Sequence, residues 1–264
     1  MDNTEKLLKE LTEAKGVAGY EKEVRKVIRR YLEPMGAIMQ DNIGSLICKK
    51  SGDAEEPRVV LAGHMDEIGF MVKHVTKEGF IKFASLGGWR DQVLLAQRVS
   101  ISTSKGDVVG VVGAKPPHLL SEDERKKLVE KKEMYIDIGA SSQREVDEAG
   151  VRVGDPIVPI SEFTILANSK TYMAKAFDDR IGCALTILAM QRFVNKSHPN
   201  MLYALATVQE EVGTRGAITS AEVINPDVAL ILEVDLAGDV PGIKPEETSI
   251  KLGGGPVLLA YDAR

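Results

Sequence analysis

Apolar positions near the start of the chain recur at helical spacing. Leu7, Leu8 and Leu11 form one stripe ahead of Gly16, and Val24, Val27, Ile28 and Tyr31 form another ahead of Pro34 and Gly36. Two amphipathic helices are predicted there. The period then shortens: Arg58-Val59-Val60-Leu61-Ala62 is a compact β-branched run suited to a buried strand, and it stops at Gly63-His64-Met65-Asp66. From about Ile68 to Leu166 short strands alternate with turns, among them Ile81-Lys82-Phe83, Val99 to Ser102, Val108 to Val112 and Val151 through Ile160. A charged segment from Glu122 to Lys132 is predicted helical, and Gly87-Gly88, Pro116-Pro117 and Gly154-Asp155-Pro156 mark loops. After Ala174 the pattern reads as a helix with Ile181, Leu185, Leu188 and Ala189 on one face, then strands over Met201 to Val208 and Asp227 to Val234.

Alternation of strands and helices on both sides of the β-rich stretch predicts an α/β fold, a mostly parallel sheet flanked by helices with a β-rich domain inserted into it. The expected segments are 1–67, the first part of the α/β domain; 68–166, the insertion; and 167–264, the second part. At 264 residues, 44% hydrophobic and 28% charged, the chain has the balance of a globular protein with a substantial core. Its net charge of -5 is spread without a basic stripe, which argues against nucleic acid as a partner. The N-terminus lacks the apolar run of a signal peptide, and no stretch is long enough to span a bilayer, so a cytoplasmic protein without a membrane partner is expected. Cys48 and Cys183 lie in no CxxC arrangement and read as buried thiols.

Chemistry concentrates where strands stop. His64 and Asp66 follow one strand, Asp178 and Asp179 open a helix, Glu210 and Glu211 follow a second strand, and Asp235 follows a third. Open α/β sheets carry their sites at the carboxyl ends of strands, so these residues can converge on one crevice. His64-x-Asp66 has the period-two spacing that lets a carboxylate support an imidazole, although a lone histidine there also suits an ordinary hydrogen-bonded role. The Asp178-Asp179 pair fits either a helix N-cap or a carboxylate that bridges two divalent ions about 3.5 to 4 Å apart. Glu210 and Glu211 diverge from consecutive backbone positions, so one can ligate while the other moves protons; alone, such a dipeptide is commonly just exposed. Nitrogen plus carboxylate oxygen, without thiolate, suits zinc, cobalt or manganese. There is no GxSxG, GxxxxGK[ST] or Rossmann glycine fingerprint, and adjacent glutamates do not have the spacing of a glycosidase pair.

The motifs Gly63-His64-Met65-Asp66-Glu67-Ile68-Gly69, Gly87-Gly88-Trp89, Gly113-Ala114-Lys115-Pro116-Pro117-His118, Lys175-Ala176-Phe177-Asp178-Asp179-Arg180-Ile181-Gly182, Gln209-Glu210-Glu211-Val212-Gly213 and Asp235-Leu236-Ala237-Gly238-Asp239-Val240-Pro241-Gly242 occur in order along the chain. Together they resemble the M42 metallo-aminopeptidases, cytosolic glutamyl, leucyl or deblocking aminopeptidases of prokaryotes. The resemblance implies a zinc-peptidase-like catalytic domain, an inserted oligomerisation domain, two divalent metal ions (zinc or cobalt), peptide substrates and self-assembly into a dodecamer. It further implies that His64 and Asp235 bind one metal, Asp178 bridges, Glu211 binds the second, Glu210 is the general base, Asp66 supports His64, and the Asp178-Asp179 peptide is cis. Relatives are expected to continue past Tyr261-Asp262-Ala263-Arg264 and to supply a further histidine, which on this reading weakens the second metal site, with His74, His118 and His198 as poor replacements. Two rival readings are a noncatalytic assembly protein that keeps the fold and a polysaccharide hydrolase. One tryptophan and 5% aromatic residues give little for sugar stacking.

Overall fold

The computed structural model describes residues 1–259; the Tyr261-Asp262-Ala263-Arg264 end lies outside the described residues. Both opening helices form as their stripes predict. In α1 (Asn3–Glu13) the Asp2 side chain accepts from Glu5 N at 2.8 Å while Glu5 accepts from Asp2 N at 2.8 Å, a reciprocal cap, and Leu7, Leu8 and Leu11 are buried. In α2 (Lys22–Leu32) Val24, Ile28 and Leu32 are buried at intervals of four. There follow β1 (Ala37–Gln40), β2 (Leu46–Lys50) and β3 (Arg58–His64). The next elements are β4 (Gly69–Val75), β5 (Ile81–Leu86), β6 (Arg98–Thr103), β7 (Gly106–Gly113), α3 (Glu122–Arg125), β8 (Tyr135–Asp137), α4 (Gln143–Ala149) and β9 (Pro156–Pro159). A short hairpin of β10 (Thr164–Ile165) and β11 (Tyr172–Met173) leads to α5 (Phe177–Phe193), β12 (Met201–Thr207), α6 (Arg215–Ile224) and β13 (Val228–Ile231).

One sheet runs in the order β1-β2-β12-β3-β13, and β4-β5-β8-β7-β6-β9 close into a barrel. The barrel strands, Gly69 to Pro159, fall in sequence between β3 and α5. The sheet is less parallel than expected. β12 and β13 both run parallel to β3, but β2 is antiparallel to β1 and to β12. The β1-β2 pair is antiparallel because a tight turn joins it: Asp41 Oδ1 accepts from the backbone of Ile43 (3.1 Å), Gly44 (2.7 Å) and Ser45 (2.8 Å), and a hairpin must join antiparallel neighbours.

Side-chain alternation along β12 explains the layers. Leu202, Ala204 and Ala206 pack with residues of α1, α2 and α5 on one face, and Met201, Tyr203 and Leu205 pack with Ile224 of α6 on the other. A separate core of Phe70, Val72, Ile81, Val99, Ile101, Val112, Ile136 and Ile157 fills the barrel. Both cysteines are buried. No helix among the described residues is long and apolar enough to cross a membrane.

Three sequence expectations change in detail. The buried face of α5 is Cys183, Ile187 and Met190, whereas Leu185 is 44% exposed, because an apolar helix offers more than one stripe and the kink at its start sets which one meets the sheet. The segment from Glu122 to Lys132 is α-helical only over Glu122–Arg125, a single capped turn with no buried residue to extend it, and a 3-10 turn begins at Lys131. Strand pairing begins at Pro156 and not at Val151, since Asp155 turns back to accept from Arg152 N at 2.8 Å across Gly154, which sits at φ +96°.

Asp41 joins this frame to the helix that follows the Glu210-Glu211 turn, because its Oδ2 accepts from Thr219 Oγ1 (2.7 Å) and Ser220 Oγ (2.9 Å) of α6. Burial alone raises its pKa, but hydrogen bonds from Thr219, Ser45 and Ser220 outweigh that and leave it below the ordinary value. Asp41→Ala is expected to cost about 2–3 kcal/mol in urea unfolding at neutral pH by stranding these donors. A depressed folded pKa gives stability that is present above the unfolded value of about 4 and is lost as pH falls through the folded value. The gap between wild type and variant therefore narrows in acid; a gap that stays constant through that range contradicts the role of the ionised carboxylate.

Candidate metal centre

The parallel strands β3, β12 and β13 end on one edge of the sheet, and the start of α5 arrives at the same place. Register puts Thr207 beside His64 at the ends of β12 and β3. The approach of α5 depends on two glycines: a Cβ at Gly63 would lie 2.6 Å from the Gly182 carbonyl carbon, and one at Gly182 would lie 2.2 Å from Leu232 O. That closeness lets fully buried Asp179 accept from His64 N (2.9 Å) and from Gly182 N (2.8 Å).

The two readings of the Asp178-Asp179 pair are thereby divided between its members. Asp179 caps the helix and grips β3, while Asp178 turns its Oδ1 to within 2.8 Å of His64 Nε2. Both have non-helical backbone angles inside the first turn of α5, and the peptide between them is cis. Around the same imidazole nitrogen stand Glu233 Oε2 at 3.8 Å and Glu210 Oε2 at 3.9 Å. Donor atoms of His64, Asp178 and Glu233 all lie within 4.8 Å of one another, a spacing that suits one cation. The His64 side chain is 3% exposed, against 63% for Asp178, 43% for Glu233 and 37% for Glu210, so the imidazole forms the floor and the carboxylates face solvent.

Asp66 does more than the expected support of His64. Its carboxylate is completely buried; Oδ1 accepts from Glu210 N at 2.9 Å and Oδ2 from Glu211 N at 3.1 Å, with Oδ1 3.5 Å from His64 Nδ1. One acid therefore holds both the imidazole and the turn that carries the glutamate pair. That turn leaves β12 through Gln209 at φ +55°, whose N–H is held by Glu21 Oε1 at 3.2 Å. His64 Nδ1 also lies 3.1 Å from the Asp66 backbone oxygen. A carbonyl only accepts, so Nδ1 carries a proton and Nε2 is the nitrogen available to a cation.

The electrostatics point the same way. Burial disfavours a charged imidazole, yet Asp178, Asp66 and Asp179 together push the His64 pKa up to about 11. Burial and the Asp178 charge push Glu211 up to about 7, and burial raises Glu233 as well. Burial followed by the Glu233 charge raises Asp179. Acids crowded until they retain protons are a site that gains from a cation, which competes with the proton on Nε2.

Of the residues singled out from the sequence, the structure brings together His64, Asp66, Asp178, Glu210 and Glu211; the last lines a cavity of about 250 Å³ with Asp178. Asp235 is not among the clustered donors. It is exposed, its Oδ1 accepts from Leu236 N at 2.7 Å, and Glu233 stands in the cluster instead. The predicted strand ran to Val234, which made Asp235 the first acid beyond it. The ladder in fact ends at Ile231, with Leu232 N still donating to Ala62 O at 2.7 Å, so the first acid past the strand is Glu233. The acids at 233 and 235 share a period of two, and only the strand's true end separates them. His74 is exposed on β4 and His118 in the turn after β7, and His198 is buried on its loop with Nδ1 2.8 Å from Asn200 O.

Comparison with known proteins places this geometry in a lineage. A family model described as M42 glutamyl aminopeptidase matches residues 44–264, and one described as AMPT matches residues 2–28. The crystal structure of the TET aminopeptidase from a marine sediment archaeon, Thaumarchaeota archaeon, superposes with a TM-score of 0.94 at 51% identity, covering 96% of this chain and 71% of that one. FrvX of Escherichia coli (strain K12) is 44% identical over 260 residues, which are 98% of this chain and 72% of its own length. The TET1 peptidase of Pyrococcus horikoshii, which can assemble into a tetrahedron or a large octahedral shell, gives a TM-score of 0.80 at 34% identity and covers 90% of this chain and 72% of that one.

Glu233 and Asp235 are separable by calorimetric titration with Co²⁺. Glu233→Ala is expected to weaken binding by about tenfold or more, the scale of losses around metal ligands, and Asp235→Ala to leave it unchanged. The reverse result restores Asp235 to the site.

Proposed function

The chain belongs to the M42 glutamyl aminopeptidase family, a family of peptide-hydrolysing enzymes, and from that membership we propose a dinuclear-metal aminopeptidase that removes N-terminal residues from peptides. The observation that carries the reading is the convergence of His64, Asp178 and Glu233 within 4.8 Å, with Glu210 at 3.9 Å from the same imidazole nitrogen. One nitrogen and several carboxylates without thiolate fit zinc or cobalt. His64 and Glu233 would hold one ion and Glu211 a second, with Asp178 available to both. When bound, divalent ions supply Lewis acidity at a carbonyl and lower the pKa of water.

The chain's own residues do the rest. Glu210 is half-exposed at the mouth, and its backbone is fixed by Asp66, so its carboxylate is aimed without being buried. It is assigned the proton transfers: it takes the proton from the attacking water and returns one to the departing amine. Asp66 acts on two partners, keeping the imidazole tautomer and the position of the Glu210-Glu211 turn. The segment 68–166, which holds the closed barrel, is assigned to self-association, following the shell-forming TET1 relative, and a cytoplasmic location follows from the family reading.

Glu210→Gln keeps shape and removes the base, so hydrolysis of amino-acyl chromogenic substrates is expected to fall by about 10²–10⁴-fold with metal content preserved. Equal activity in variant and wild type removes Glu210 from the mechanism. Chelation followed by Zn²⁺ or Co²⁺ addition is expected to abolish and restore hydrolysis, and metal-loaded wild type with no hydrolysis at all favours the noncatalytic reading.

A further inference from the structure

Resting on the metal reading above, we propose that Glu67 is a positioning residue: its buried ion pair with Lys175 locks the segment bearing His64 against the segment bearing Asp178 and so sets the spacing of the donors. Glu67 lies three positions after His64, and Lys175 three positions before Asp178. Lys175 Nζ donates to Glu67 Oε1 at 2.7 Å and Oε2 at 2.8 Å, with side chains only 7% and 2% exposed. Its third donor goes to Ala14 O at 3.1 Å, so the ammonium is fully committed and has none left for a substrate. Arg180, two positions after Asp178 and completely buried, adds Nη2 to Glu67 Oε1 at 3.4 Å and anchors Nη1 on Leu11 O and Ala14 O.

The other end of the tether is equally fixed. Glu67 N donates to Gly16 O at 2.9 Å, Gly16 N donates to Glu67 Oε1 at 3.1 Å, and Val17 and Glu67 form a parallel bridge. Glu67 and Lys175 also line the cavity of about 250 Å³ shared with Asp178 and Glu211, so the pair belongs to the wall of the site itself. One acid facing two cations leaves a positive excess behind an acid-rich cluster. Buried ion pairs are a poor source of net stability, because desolvation consumes most of the attraction and apolar replacements commonly do as well. A pair that links two donor-bearing segments within a few residues of each donor is explained by position.

The test is Co²⁺ titration and visible absorption of the full chain, with melting temperature measured in parallel. Glu67→Gln and Lys175→Met are each expected to weaken Co²⁺ binding by about 10–100-fold, the scale of losses when partners of metal ligands are removed, and to change the Co²⁺ spectrum. The double variant is expected to be little worse than either single one, since the two act as a unit. Folded variants with wild-type Co²⁺ affinity and spectrum overturn the proposal, whatever their melting temperatures. The core change Ile187→Val is the control, and an equal loss of Co²⁺ affinity there also overturns it. Should Glu67→Gln not fold, the double variant, which removes both charges of the pair, is read by the same criteria; failure of both to fold assigns the pair to folding and overturns the positioning role. Wild type that binds Co²⁺ beside unaffected variants defeats only this inference, whereas wild type that binds none defeats the metal reading on which it rests.

Discussion

The carboxylate of Asp66 is the constraint on which the candidate site depends. It is wholly buried, and it accepts from the backbone of Glu210 and Glu211 while lying 3.5 Å from the His64 imidazole. Two strands that are neighbours in the sheet but far apart in sequence are thus fastened at their ends by a single side chain. Parallel pairing alone brings Thr207 beside His64, but it says nothing about the direction taken by the residues after Thr207. Hydrogen bonds to a charged acceptor are stronger and more directional than the dispersion forces beneath them, so they decide that direction. Asp179 repeats the device between β3 and α5, gripping His64 N and Gly182 N at once.

These buried acids cost free energy to ionise away from water, and the structure balances the cost in two ways. Locally each is saturated with N–H donors. Collectively the acids surround one imidazole, and against the opposing effect of burial, hydrogen bonds and charge from Asp178, Asp66 and Asp179 raise its pKa. The more exposed acids, Glu211 and Glu233, are raised by burial and by neighbouring carboxylate charge, as is Asp179 despite its two backbone donors. The centre therefore separates scaffold from reagent: acids with committed partners are buried at fixed positions, and acids without them stand at the mouth where a cation or a proton can reach them.

Much of this was legible in the sequence, for physical reasons specific to each element. The helical stripes of Leu7, Leu8 and Leu11 and of Val24 and Ile28 survive into the structure because one buried face is all those helices have. The β-branched run ending at His64 could be recognised because its hydrophobicity stops where the ladder stops. What failed was the exact end of a strand. Leu232-Glu233-Val234-Asp235 alternates apolar and acidic residues past the last paired residue, so pattern alone cannot tell strand from loop, and the donor slipped from Glu233 to Asp235. The exposure of Leu185 in α5 has a similar origin: Ile181, Leu188 and Ala189 do pack against the core, but a helix apolar on several sides leaves the depth of each position to tertiary contacts. The antiparallel edge of the sheet depended on an Asx-type turn at Asp41, whose three backbone donors show only in three dimensions.

The segment from His64 to Gly69 makes site and barrel mechanically inseparable. It ends β3 with a metal-type donor, places Asp66 under the glutamate turn, commits Glu67 to Lys175 and Arg180, and starts the first barrel strand two residues later. The barrel also reaches the site through the loop after β5, where a Cβ built on Gly87 would stand 3.2 Å from Glu211 Oε2. A movement of β4 and β5 relative to the sheet would therefore pull on Glu67 from one side and press Gly87 toward Glu211 from the other. Close-packed interiors transmit such displacements rather than absorb them, so the packing of the barrel against the sheet bears directly on the walls of the centre.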